Sequence, residues 1–183
     1  MEFFNDLIER NKIIGIVFDI SINHDDFTGS RIIDIVKKIL INKILISKIN
    51  FLAFVGSKDY SFPKNYSESI AKIDMYIEPA DFNVNQEIRK ICKIIGENND
   101  QEEKHILILT DRFESKLQTS YKSAFLVKSA NYYDYKVHYC SIGSNSDHDL
   151  LEKLAEKEGA NFAHLKNPQE LKNYLEKFGE NNG

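Results

Sequence analysis

The sequence has no apolar run near the roughly 20 residues needed to span a bilayer. Its first strand-like run, residues 13–18 (IIGIVF), is far too short. The first ten residues, MEFFNDLIER, carry acidic groups where a secretory leader needs a positive segment, and no apolar core follows them. The expectation is a cytoplasmic protein without membrane attachment, and the sequon Asn65-Tyr66-Ser67 then carries no meaning. Cysteine is scarce. Cys92 and Cys140 are the two present, each inside an apolar-patterned segment, and both are expected to be buried free thiols. Positive charge is not in excess: 24 Lys and Arg stand against 28 Asp and Glu, a formal charge of −4. That excludes nonspecific nucleic-acid binding, which requires a basic surface to displace counterions from phosphates. Lys37, Lys38, Lys43 and Lys48 read as the solvated face of a helix. No Gly-x-Gly-x-x-Gly or Walker loop follows any strand, so nucleotide binding has no support. A Gly-x-Ser-x-Gly elbow is missing too, and neither cysteine has the local signature of an activated thiol.

What is present is an alternation of apolar runs and amphipathic stretches. Residues 13–18 read as a strand buried on both faces. A helix is predicted over 30–46, where Ile32, Ile33, Val36, Ile39 and Leu40 recur at three and four residues. A second buried strand covers 49–55. A long polar loop, 57–69, holds Tyr60, Phe62, Pro63 and Tyr66, and a short edge strand is predicted at 73–77. Val84, Ile88, Ile91 and Ile95 mark a helix ended by Gly96, and residues 97–104 form a charged connection. Strands at 105–110 and 136–142 flank a less regular helix at 119–132. A helix over 147–159, a short strand at 161–164 and a helix opened by Pro168 complete the pattern. The fold class expected is α/β: a doubly wound, mainly parallel sheet with helices on both faces and one short antiparallel edge strand. The domain is expected to span 12–178, with an N-terminal segment at 1–11 and a frayed tail at 179–183.

In such sheets ligands bind at the carboxyl ends of the central strands. The first strand ends in Asp19-Ile20-Ser21-Ile22-Asn23, and the third central one in Thr110-Asp111. Carboxylates, a hydroxyl and an amide oxygen on one rim are hard donors of the kind magnesium, manganese or calcium accepts. Asp19-x-Ser21-x-Asn23 after a buried strand resembles the Asp-x-Ser-x-Ser signature of von Willebrand factor A domains. The run Ile106-Leu107-Ile108-Leu109-Thr110-Asp111 is similar to that family's strand ending in the distal metal-site Asp. The pattern from Val137 through Gly143, Leu154-Ala155, Gly159-Ala160-Asn161-Phe162 and Leu171 resembles the family's C-terminal third.

The resemblance implies a metal-ion-dependent adhesion site in which Ser21 and Asn23 bind a divalent cation directly. Asp19 and Asp111 would hold it through water, and a partner's carboxylate would complete its coordination. It also shows a degenerate site. Asn23 stands where a Ser is usual, and Arg112 replaces the Gly after the distal Asp. Phe82 aligns with the metal-site Thr, leaving Asp81 or Asn83 as substitutes. The Arg112 guanidinium could do the cation's electrostatic work at Asp111 or Asp19. Two readings of the rim therefore stay open: a bound cation, or loop hydrogen bonds without metal.

The function expected is that of an intracellular protein–protein interaction module, not an enzyme. Its partner is another protein, such as subunits of a larger complex. Phe82, Asn83, Arg112 and the aromatics Tyr60, Phe62 and Tyr66 are the candidate contact residues. The alternatives are a metal-independent structural subunit, and a small metal-dependent hydrolase with His24 as its base. His24-Asp25-Asp26 reads more simply as a helix-entry loop. His105, His138, His148 and His164 show no metal-ligand spacing in sequence.

Overall fold

The computed structural model describes residues 12–19, 34, 35, 38, 49–55, 84–97, 103–111, 118–143 and 148–177. Strand β1 (Lys12–Asp19) is followed by β2 (Ile49–Val55), helix α1 (Val84–Glu97) and β3 (Glu103–Thr110). Then come a single-turn helix α2 (Gln118–Tyr121), α3 (Ser123–Asn131), β4 (Lys136–Ile142), α4 (His148–Glu158), β5 (Asn161–Leu165) and α5 (Pro168–Lys177). Asp34, Ile35 and Lys38 are helical, inside the stretch predicted as a helix. The predicted edge strand at 73–77 lies outside the described residues, and every described strand pair is parallel.

The strand order is β2-β1-β3-β4-β5. From β1 the chain leaves toward β2 on one side, then returns past β1 to β3 on the other. The switch in strand order therefore falls between β1 and β3, where open α/β sheets place their ligands. Strands β1, β3 and β4 are central, and Ile14, Ile16 and Val17 of β1, residues 106–109 of β3 and Val137 and Ile142 of β4 are buried, as strands covered on both faces must be.

Side-chain alternation divides the residues between two faces. Val17, Ile108, Tyr139 and Phe162 align across four strands and pack with Ile88, Ile91, Cys92 and Ile95 of α1 and with Leu151, Leu154 and Ala155 of α4. The spacing of the α1 residues, three and four apart, makes one apolar stripe that faces the sheet. The opposite face receives α5, whose Tyr174 bonds to the Cys140 thiol while Leu171 and Leu175 are buried. The sheet is thus doubly wound. Gly15 is where α1 crosses β1: a Cβ there would lie 2.9 Å from Ile91 Cγ1 and 3.0 Å from Ile95 Cγ1.

Local rules set the helix ends. Asn167 Oδ1 accepts from the Glu170 amide at 3.0 Å, and Glu170 reaches back to the Lys166 amide at 2.8 Å, a reciprocal cap around Pro168. Helix α4 ends at Gly159, whose φ of +66° suits a residue without Cβ. The region read as one helix over 119–132 is instead two, α2 and α3, separated at Lys122. Lys122 keeps helical angles (φ −60°, ψ −16°), so its periodicity runs across the break.

Candidate functional site at the carboxyl rim

Of the residues predicted to form the site, Asp19 and Asp111 are described, and they are brought together. Asp19 is the last residue of β1, and Asp111 directly follows β3, its neighbour across the switch point. The Asp111 amide donates to the Asp19 carbonyl at 3.3 Å, which extends the ladder one residue past the strands. Both are buried, Asp19 to 2% exposure and Asp111 to 7%. Ser21, Asn23, Asp81, Phe82, Asn83, Arg112, Tyr60, Phe62 and Tyr66 lie outside the described residues, as does His24.

A buried carboxylate needs hydrogen-bond donors in place of water. Two hydroxyls of the domain stand against Asp19. Its Oδ2 accepts from the Tyr121 hydroxyl at the end of α2, and Thr110 Oγ1 lies 3.2 Å from the same oxygen. The two hydroxyl oxygens are themselves 2.9 Å apart. Two hydroxyl protons cannot fill three contacts. Either both point at Asp19, or Thr110 donates to Tyr121, which donates to Asp19; the reverse relay, Tyr121 to Thr110 to Asp19, would leave the close Tyr121–Asp19 oxygen pair without a proton between them. In both arrangements the phenol is the donor on the carboxylate.

Tyr121 is fully buried, and its ring meets Tyr139 edge-on with centroids 6.4 Å apart. Tyr139 in turn donates its hydroxyl to the Tyr121 carbonyl at 2.9 Å. The phenol is therefore held at both its ring and its backbone. Sequence reasoning assigned Tyr121 only to a helix. Its separation of 102 residues from Asp19 leaves no local signal for the contact.

Register carries the polar row further. Asp19 pairs with Thr110, Thr110 with Ser141 and Ser141 with His164, so four adjacent strand ends present polar residues on the α1 face. His164 Nε2 lies 2.9 Å from the Gly143 carbonyl, and its ring stacks on His148 at the start of α4, centroids 4.1 Å apart.

The histidines thus meet in pairs in space, which their positions in the sequence did not signal. His105 Nδ1 and His138 Nε2 lie 2.9 Å apart at the opposite, amino-terminal edge of the sheet. Among the described residues, no group of three or more His, Cys, Asp or Glu converges as a complete metal site would. For a divalent cation, the described rim supplies the oxygen chemistry that fits, from Asp19, Thr110 and Asp111.

Both cysteines are buried and unpaired with each other, as expected. Burial pushes each thiol up to about 12. Among the described residues, no helix is long and apolar enough to cross a membrane.

No protein-family model matches the sequence, and no curated protein matches it. Solved structures do match the fold. A von Willebrand factor type A protein from Catenulispora acidiphila superposes with a TM-score of 0.58 at 13% identity, over 93% of this chain and 42% of that one. The pilus adhesin SpaC from Lactobacillus rhamnosus GG gives 0.60 at 12% identity, over 94% of this chain and 31% of the adhesin. The TFIIH p34 N-terminal domain gives 0.55 at 11% identity, over 92% of this chain and 97% of that domain. This chain spans less than half of the first two and nearly all of the third. At such identities the likeness is one of fold, and on that ground the chain has a von Willebrand factor A-like fold.

Proposed function

We propose that this chain is a protein–protein interaction module that receives its partner at the carboxyl rim of the sheet, around Asp19 and Asp111. One observation carries the reading: two buried aspartates, joined through the Asp111 amide and the Asp19 carbonyl, stand at the β1/β3 switch point, where this architecture concentrates ligand binding. Buried charge is costly to maintain and is kept mainly where it serves structure or binding. The neighbours are consistent with binding rather than turnover, since one is an adhesin and another a domain of TFIIH.

A divalent cation belongs to the same reading. Asp19 and Asp111 would hold it together with Ser21 and Asn23, whose oxygens complete a hard donor set. When bound, such a cation supplies positive charge that a partner's carboxylate can meet. The protein is proposed to work in the cytoplasm, without catalytic activity, as one piece of a larger assembly.

The test is quantitative affinity capture with the wild-type chain, Asp19→Ala and Asp111→Ala, in magnesium and in chelator. Lys136→Glu, at the opposite edge of β4, serves as the control. Proteins lost in both rim variants and retained by the control support the reading. Equal capture by all four chains overturns the rim as the binding surface.

A further inference from the structure

We infer that Tyr121 is the positioning residue that sets the cation affinity of the rim, its hydroxyl competing with a divalent ion for the Asp19 carboxylate. The inference rests on the rim being the working surface, as proposed above, and names a residue that tunes it.

At 2% exposure the Asp19 carboxylate cannot be stabilised by bulk water, so either a cation with its hydration shell or protein donors must do so. Here protein donors are in place: the Tyr121 phenol and the Thr110 hydroxyl both meet Oδ2. A carboxylate oxygen offers about two lone-pair sites, so two hydroxyls at one oxygen use its accepting capacity. A cation, or the water that links a cation to Asp19, must share or displace them when it comes to this oxygen. Hydrogen bonds to an ionised acceptor are the strong kind, so the displacement carries a real cost.

Thr110 is fixed by the β3 ladder, but Tyr121 comes from α2, an element outside the sheet. Nothing in the strand register demands a phenol there. The fold would bury a phenylalanine ring in the same place, between the same neighbours, without touching the carboxylate. The hydroxyl is therefore the separable part. It lets Asp19 remain buried and hydrogen-bonded in the absence of metal, and it raises the cation concentration at which metal takes over.

The experiment is a calorimetric titration of the full chain with Mn2+ alone, on wild type, Tyr121→Phe and Asp19→Asn. Melting in chelator and near-ultraviolet circular dichroism verify folding. Removing one charge-assisted hydrogen bond from the competing state is expected to tighten Mn2+ binding about tenfold in Tyr121→Phe. Asp19→Asn is expected to abolish it. A merely structural role for the phenol would loosen the site or leave it alone, never tighten it. Mn2+ affinity equal to or weaker than wild type in a folded Tyr121→Phe overturns the inference, and so does the absence of Mn2+ binding in both proteins. Should Tyr121→Phe not fold, Thr110→Val removes the other hydroxyl from the same oxygen and must show the same sign. The outcome is separable from partner capture. An unchanged Mn2+ affinity with capture still lost in Asp19→Ala sinks only the role of Tyr121. A tightened affinity with capture untouched sinks only the interaction reading.

Discussion

His105 and His138 form a buried ring-to-ring hydrogen bond, Nδ1 to Nε2 at 2.9 Å, on the face of the sheet that α5 covers. One ring nitrogen donates and the other accepts, so the contact requires at least one neutral imidazole. Glu103 Oε1 stands 3.5 Å from the other nitrogen of His105 and is paired with Lys136, while Asn161 Nδ2 lies 3.3 Å from His138 Nδ1.

Acid destabilisation follows from this pair. Burial, then the neighbouring His105 and Lys136, lower the His138 pKa from 6.5 to about 3, against a smaller opposing effect of Glu103. Below its unfolded value the unfolded chain takes up a proton that the folded chain refuses. Stability is therefore complete above pH 6.5 and is lost as pH falls toward 3. Between about pH 7.5 and about pH 5, His138 alone should remove roughly 2 kcal/mol. Urea unfolding at the two pH values measures it. His138→Gln should flatten that dependence, and a wild-type stability equal at both would refute the account.

The Asp19–Tyr121 contact predicts a specific failure of additivity. Asp19→Ala leaves the buried Tyr121 hydroxyl without this acceptor, and Tyr121→Phe leaves the carboxylate without this donor. Each single variant should lose about 1–3 kcal/mol, the range for one hydrogen bond lost at a buried charged group, while Thr110 still meets the group that remains. The double variant removes both groups and should lose less than the sum, by roughly 1–2 kcal/mol. Strict additivity in a denaturant cycle would mean the two groups do not depend on one another.

Much of the fold was legible because buried parallel strands are near-continuous apolar runs and because α1 repeats Ile88, Ile91 and Ile95 at helical spacing. The convergence of Asp19 and Asp111 was legible for the same reason. Once both strands are assigned to one parallel sheet, their carboxyl ends must share a rim. Tyr121 was not, since its role comes from where a one-turn helix lands after the segment that follows Asp111, and no periodicity records that. The histidine pairs were hidden similarly: His105 reaches His138 through the offset of β3 and β4, a matter of register rather than spacing. Lys122 shows the opposite failure, because a residue with helical angles conceals a break between two helices.

The thiols should be inert in the native state. Cys92 is held up at about 12 mainly by burial, partly offset by its hydrogen bond to Tyr135. Cys140 stands at about 12 for the same reason, with Tyr174 as its partner. Since the thiolate is the reactive form, neither should be alkylated at neutral pH until the chain unfolds. Labelling followed by mass spectrometry across a denaturant series checks this. Modification of either cysteine without denaturant would place it outside the core.

Gly15→Ala tests how closely α1 is drawn onto β1. The added methyl would sit 2.9 Å from both Cδ1 and Cγ1 of Ile91 and 3.0 Å from Ile95 Cγ1, closer than real side chains approach one another. Ile91 and Ile95 are fully buried and β-branched, so they have few rotamers into which to retreat. The helix itself must then lift from the strand, and overpacking of this kind costs about 1–3 kcal/mol. Because Gly15 pairs with Ala53 on one side and Ile106 on the other, the strain falls in the middle of the ladder rather than at a frayed end. A second substitution that shortens the opposing side chain, Ile91→Val, should recover part of the loss. Stability unchanged in Gly15→Ala, or no recovery in the pair, would show that α1 rides higher above the sheet than these distances state.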